Sequence, residues 1–247
     1  MIRTFFVVFV IFGLMFLIGP FCVLFAWICG KPNILYSAGR LGCRLGMKLA
    51  GVQRSVGGRE NIKPGKNYLF LANHQSYCDP PALLVAIPFD TRLILKKELR
   101  KLPLLGKIME MGGFVFIDRK DRAQSVEGMK QAVKQLRRGE SILIYPEGTR
   151  TRTGRLGPFK KGPFIMAIES GVPIIPISVS GSYGIMPPNK FRITPGTITV
   201  MFHPEIETHA LSINDRDNLM DQVWKTIAKE VKEMESFESD LMSPERT

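Results

Sequence analysis

The sequence predicts an α/β protein: a largely parallel central sheet flanked by helices, with an N-terminal membrane-associated helix pair ahead of it. Three observations predict this. Strand-length apolar runs alternate with helical patterns from residue 68 onward, which is how a parallel sheet covered on both faces reads. Residues 4–29 carry no charge and are dominated by Phe, Val, Leu and Ile. Histidine, acidic and basic residues gather just after the apolar runs, where open α/β sheets hold their ligands.

With 247 residues the chain has room for one such domain with appendages. Its 34 Lys+Arg against 22 Asp+Glu leave a net charge of +12, so an anionic partner is expected. Nucleic acid, an anionic membrane and a phosphorylated substrate all satisfy that charge. The four cysteines (Cys22, Cys29, Cys43 and Cys78) have no metal-ligand spacing and read as small apolar residues of a reducing compartment.

A helix over 4–29 reaches roughly 39 Å, enough to cross a hydrocarbon core of about 30 Å. It exceeds a signal-peptide core and no small-residue cleavage site follows it, so an anchor rather than a leader is expected. Gly19-Pro20 lies in its middle, and either a spanning helix or a bent one that enters and returns fits. Residues 33–52 form an amphipathic helix. Ile34, Leu35, Ala38, Leu41, Leu45, Leu49 and Val52 share one stripe, and Arg40, Arg44 and Lys48 another. An apolar face beside a basic face suits a helix lying on anionic lipid. Lys31, Arg40, Arg44, Lys48 and Arg54 follow the apolar segment closely, which predicts attachment at the inner membrane with the rest of the chain cytoplasmic. Two units are thus expected, an anchor over 1–52 and an α/β domain over 53–247.

In that domain, Gly57-Gly58 and Lys63-Pro64-Gly65-Lys66 are opening turns. Strands are predicted over 68–72, 92–95, 113–117, 141–145, 172–179 and 197–202. Helices are predicted over 81–87, 104–111, 124–138, 163–170 and 214–234. Pro173 and Pro176 restrict their strand to an edge or a bulge. Residues 191–202, with Thr194-Pro195-Gly196-Thr197, read as a hairpin-like addition.

The chemistry sits at the strand ends. After 68–72 comes Asn73-His74-Gln75-Ser76-Tyr77-Cys78-Asp79-Pro80. If Asp79 accepts from one imidazole nitrogen of His74, the other is free to take a proton. The alternative is that Asp79 only caps the following helix and His74 is a loop residue. After 141–145 come Pro146-Glu147-Gly148-Thr149-Arg150, then Arg152, Arg155, Lys160 and Lys161, and a helix opening at Gly162-Pro163. Cations before a helix N-terminus make a phosphate site. Arg119 ends the 113–117 run inside Asp118-Arg119-Lys120-Asp121-Arg122, whose two aspartates read as members of a mutually paired surface cluster. Lys96 and Lys97 form a third basic strand end. His203 and His209 are isolated and read as structural or exposed. Cys78, four residues from His74, raises a second mechanism in which the thiol is the nucleophile.

These stretches, in this order, resemble the motifs of the glycerolipid acyltransferase family, in the short bacterial form acting on lysophosphatidate. The matching residues are His74 and Asp79, Gly113 to Arg119, Glu147-Gly148-Thr149-Arg150, and Val172 to Ile177. The resemblance implies transfer of a fatty acyl group from acyl carrier protein or coenzyme A to the 2-hydroxyl of lysophosphatidic acid. It implies His74 as general base and Asp79 as its orienting partner, with Arg119, Glu147, Gly148, Thr149 and Arg150 at acceptor-binding positions. Lys96 joins them as a phosphate-binding guess outside any motif. No metal or cofactor is expected, and the partners implied are the two substrates and anionic membrane lipid. A different acceptor, glycerol 3-phosphate or another lysophospholipid, is the nearest alternative; a non-enzymatic lipid-binding scaffold leaves the His-Asp turn unexplained. Nucleic acid is not expected, because the basic residues cluster at strand ends rather than along one helix.

Overall fold

The computed structural model describes residues 1–242. In chain order its elements are α1 (Ile2–Cys29), α2 (Asn33–Ala50), β1 (Val52–Gly57), β2 (Leu69–Ala72), α3 (Asp79–Ala86), β3 (Thr91–Lys96), α4 (Leu105–Met111), β4 (Val115–Ile117), α5 (Arg122–Arg137), β5 (Ser141–Ile144), α6 (Gly162–Ser170), β6 (Ile174–Ser180), α7 (Ser182–Ile185), β7 (Gly196–Phe202) and α8 (Arg216–Met242). Seven strands form one sheet in the order β1-β7-β6-β2-β5-β3-β4. The run from β6 to β4 is parallel throughout. β7 pairs antiparallel with β6 and parallel with β1.

All six predicted strands are present with small shifts at their ends. β2, β5 and β6 are buried at every residue, which is why they read as unbroken apolar runs. Alternate residues feed two cores. Phe70 and Leu143 face one side with Ala82 and Leu83 of α3, Met47 and Ala50 of α2, and Val7 of α1. Leu69, Leu71 and Ile142 face the other with Val133 of α5, Phe164 of α6 and Val223 of α8. The chain therefore leaves β2 toward one face, through α3, and leaves neighbouring β5 toward the other, through α6. A crevice opens between the carboxyl ends of two strands whose connections diverge in this way.

The structure corrects two expectations and, for β6, removes the edge alternative. β1 was not foreseen, because its middle residues are exposed and nothing in Val52-Gln53-Arg54-Ser55-Val56-Gly57 alternates cleanly. Residues 191–202 make no hairpin; only Gly196 onward is strand, and its partners are β1 and β6. β6 lies inside the sheet rather than at an edge. Its Pro176 carbonyl accepts from His203 N (3.0 Å), just where the ladder with β7 has ended at Phe202 and before the bridge of Ile174 to Ile206. The proline falls in that gap, so no ladder hydrogen bond is lost.

Two further differences lie at the surface. Arg40 leaves the basic stripe of α2 to pair with Asp90 (3.4 Å), so Arg44 and Lys48 are left as its exposed cations. Asp118 pairs with Lys97 (3.7 Å) and accepts from Lys120 N (2.9 Å), and Asp121 caps α5 by accepting from Gln124 N (3.1 Å), so among the described residues neither aspartate ion-pairs with a basic sequence neighbour.

Candidate active site

The loop leaving β2 is held in place before any chemistry is considered. Asn73 ties the end of β2 to β6 with its side chain: Nδ2 donates to Val179 O (2.8 Å) and Oδ1 accepts from Val179 N (2.7 Å). His74 then turns into the crevice. Its backbone N donates to Glu147 Oε1 (2.8 Å) and its carbonyl accepts from Thr151 N (2.8 Å), so the β2 and β5 loops are laced together.

Asp79 settles the choice between cap and partner. One oxygen, Oδ2, meets His74 Nδ1 at 2.7 Å and also accepts from Gln75 N (2.7 Å) and Ser76 N (2.8 Å). It faces back toward the loop that precedes α3, and Cys78 occupies the cap position. The carboxylate is fully buried while His74 remains 14% exposed. With Nδ1 on the carboxylate, Nε2 is the imidazole atom left for a substrate. Asp79 Oδ1 is buried with no hydrogen-bond partner.

Beneath the imidazole lies Tyr145, directly after β5. The two rings stack with centroids 3.9 Å apart and planes 15° from parallel. Burial holds the phenol well above its usual range, and the nearby Asp79 adds to that. Its hydroxyl is buried and unpartnered.

Glu147 sits where the sequence placed it but faces backbone. Its second oxygen accepts from Gly157 N (2.9 Å), so both oxygens are committed to amides and the residue is 6% exposed. Burial raises its carboxyl above the ordinary range, against the pull of those two amides. An anion so placed cannot attract phosphate; it clamps the two loops. Gly148 follows with φ +75°, a left-handed turn that a side chain resists. Its carbonyl accepts from Arg119 Nη1, which brings the β4 end across to this turn. Thr149 is exposed. The Arg150 guanidinium lies over the Tyr77 ring, its Cζ 3.4 Å from the centroid, and its Nη1 is buried without a partner. Lys160 passes beside Gly148. Lys96 stands apart at the end of β3, exposed and paired with Glu98 (3.1 Å).

Burial pushes the Cys78 thiol up to about 11. His203 is paired with Ser178 Oγ (2.8 Å), and burial lowers it to about 4; it lies in the second core, away from the crevice. Among the described residues, no three His, Cys, Asp or Glu side chains gather as a metal ion would require.

Sequence reasoning missed Tyr77 and Tyr145 as neighbours of the chemistry. Tyr145 closes an apolar run and so reads as core. Tyr77 lies between His74 and Asp79, and an aromatic beside a basic strand end is a stacking signal.

A family model described as Acyltransferase matches residues 53–180, more than half of the chain. The 1-acyl-sn-glycerol-3-phosphate acyltransferase of Limnanthes douglasii is 33% identical over 174 residues, covering 70% of this chain and 61% of that one. The protein of the same description from Borreliella burgdorferi is 28% identical over 189 residues, 76% of each chain. The chain spans 61–62% of the length of the two Limnanthes relatives. The crystal structure of the 1-acyl-sn-glycerophosphate acyltransferase PlsC from Thermotoga maritima superimposes with a TM-score of 0.82 at 24% identity, over 95% of this chain and 97% of that one. That likeness speaks for the fold.

Proposed function

The chain belongs to the acyltransferase family, and from that membership we propose that it moves a fatty acyl group from a thioester to the sn-2 hydroxyl of 1-acyl-sn-glycerol 3-phosphate, making phosphatidic acid. The thioester is carried on acyl carrier protein or coenzyme A. One observation carries the reading: an imidazole oriented by a buried carboxylate at 2.7 Å, on a loop whose Tyr77 lies under an arginine with a buried, unpartnered nitrogen. The names of the relatives supply the substrate class.

The steps balance without an added reactant. His74 Nε2 takes the proton of the acceptor's hydroxyl as its oxygen bonds to the thioester carbonyl carbon. The tetrahedral adduct then expels the thiolate, which recovers the proton from His74. Asp79 keeps Nδ1 as the donor edge and steadies the imidazolium between the two steps. A thioester is already activated, so positioning does much of the rest. Arg150 and Arg119 meet the acceptor phosphate; Gly148 and Thr149 shape the turn that presents them, and Glu147 pins it. Lys96 is the outermost cation and a secondary phosphate contact. A thiol held near 11 is protonated at neutral pH, which favours direct transfer over an acyl-enzyme on Cys78.

Membrane attachment follows from α1, a helix of 28 residues long and apolar enough to enter a bilayer. Phe9 and Phe16 are exposed along it, 77% and 53% respectively. Yet its first turn is bound to the catalytic unit: Thr4 is fully buried and accepts from Ile193 N (2.9 Å), and Phe5 meets Phe191 edge-on. Farther along, Gly19 lies against Leu104. A crossing helix would carry one end away from the domain. This one lies along it, in a single leaflet on the cytoplasmic side, with Arg44 and Lys48 toward anionic headgroups.

The test is conversion of 1-acyl-sn-glycerol 3-phosphate by purified protein in mixed micelles, with each thioester in turn. Phosphatidic acid that disappears in His74→Ala is expected. No product with either donor, or an active His74→Ala, overturns the reading.

A further inference from the structure

One aromatic residue touches the reacting group and has no part in the scheme above. Tyr145 presents its whole face to the His74 imidazole, 3.9 Å away and nearly parallel. The other restraints on His74 act along its edge or its backbone: Asp79 on Nδ1, Glu147 on the amide, Thr151 on the carbonyl. None of them resists a tilt of the ring about the Nδ1···Oδ2 line. The phenol blocks that tilt from one side.

The same contact has an electrostatic consequence. When His74 takes the acceptor's proton, the imidazole becomes a cation lying on the electron-rich face of a phenol. Tyr145 is only 8% exposed, so water screens this attraction little. A buried hydroxyl without a partner is unfavourable, and an apolar side chain would fill the place without it. The neighbourhood keeps the phenol protonated, so the ring stays neutral beside Asp79. We infer that Tyr145 is a positioning residue for acyl transfer: its ring is the platform that fixes the plane of the His74 imidazole and stabilises the charged form it takes on during proton transfer. This rests on His74 being the base.

Three variants test it: Tyr145→Phe, which keeps the ring, and Tyr145→Leu and Tyr145→Met, which remove it while filling the space. In both ring-free variants kcat falls by about tenfold, the size of a desolvated cation–ring contact, with both KM values unchanged. The acid limb of their pH–rate profile moves to lower pH, because the protonated imidazole has lost its support. Tyr145→Phe keeps kcat within about threefold and keeps the profile in place. A readout independent of turnover is the ¹³C-histidine spectrum, in which the His74 signal is assigned by its loss in His74→Ala. Ring-current shielding of that signal persists in Tyr145→Phe and vanishes in the ring-free variants. Wild-type kcat and profile in a folded ring-free variant overturn the inference. So does a loss in Tyr145→Phe equal to that in Tyr145→Leu, which assigns the effect to the hydroxyl. Should His74→Ala prove active, the base assignment fails, while the shielding still decides whether the stack exists.

Discussion

Replacing His74 with Gln keeps an amide able to meet Asp79 but offers no proton acceptor, and kcat should fall by about 10²–10⁴-fold with the thermal transition preserved. A variant that melts like the parent and still turns over would remove the base from the scheme. Arg150 and Tyr77 form the second residue-scale unit, because a guanidinium stacked at 3.4 Å is held ready for an anion. Arg150→Ala should raise the acceptor's KM about tenfold, as loss of one charge-assisted contact would. Tyr77→Ala should raise it less, and the double variant no more than Arg150→Ala alone, since Tyr77 acts through Arg150. Fully additive effects would separate the two. The His74–Asp79 pair was legible in the sequence because both residues flank one turn after one strand. The roles of Tyr145 and Glu147 were not. Which face of a strand end an aromatic presents, and whether a carboxylate looks outward or into its own loop, depend on the neighbouring strand, 73 positions away for His74 and Glu147.

At the scale of elements, the turn after β5 tests whether loop shape governs the acceptor site. Gly148→Ala places a side chain at φ +75°, a conformation worth about 1–2 kcal/mol of strain, although only Lys160 side-chain atoms lie near the new methyl. Urea unfolding should show that loss, and the acceptor's KM should rise because the Gly148 carbonyl anchors Arg119. A stability change with unaltered KM would detach the turn from binding. His203, at the end of β7, gives a pH dependence. Burial lowers it from 6.5 to about 4, so the unfolded chain binds the extra proton first. Its contribution is complete above pH 6.5 and is lost as pH falls toward 4. Thermal melts should therefore show a downward slope over that window which His203→Asn flattens; equal slopes would assign it elsewhere. Strands buried on both faces announced themselves in the sequence. β1 did not, since an edge strand with an exposed middle carries no apolar signature. Nor could the prolines of β6 place it, because the gap that accommodates Pro176 belongs to the chain beyond β7.

For the molecule as a whole, the proposed membrane seating should be separable from folding. Phe9 and Phe16 project from α1 without entering either core. Phe9→Glu with Phe16→Glu should leave the melting transition intact and shift the protein from pelleted anionic vesicles to the supernatant. Vesicle binding equal to the parent's would move the anchor to another surface. The apolar character of residues 4–29 was plain from composition, but that the first turn of this helix is held to the domain through Thr4 and Ile193, a pairing across 189 positions, was not.

That contact reaches beyond the enzyme itself. A catalyst resting on one monolayer, as proposed, draws its lysolipid from that sheet and returns a two-tailed product to it. Each turnover swells one side of the membrane and not the other. On that reading, balanced growth would call for a separate route by which lipids cross between the two sheets.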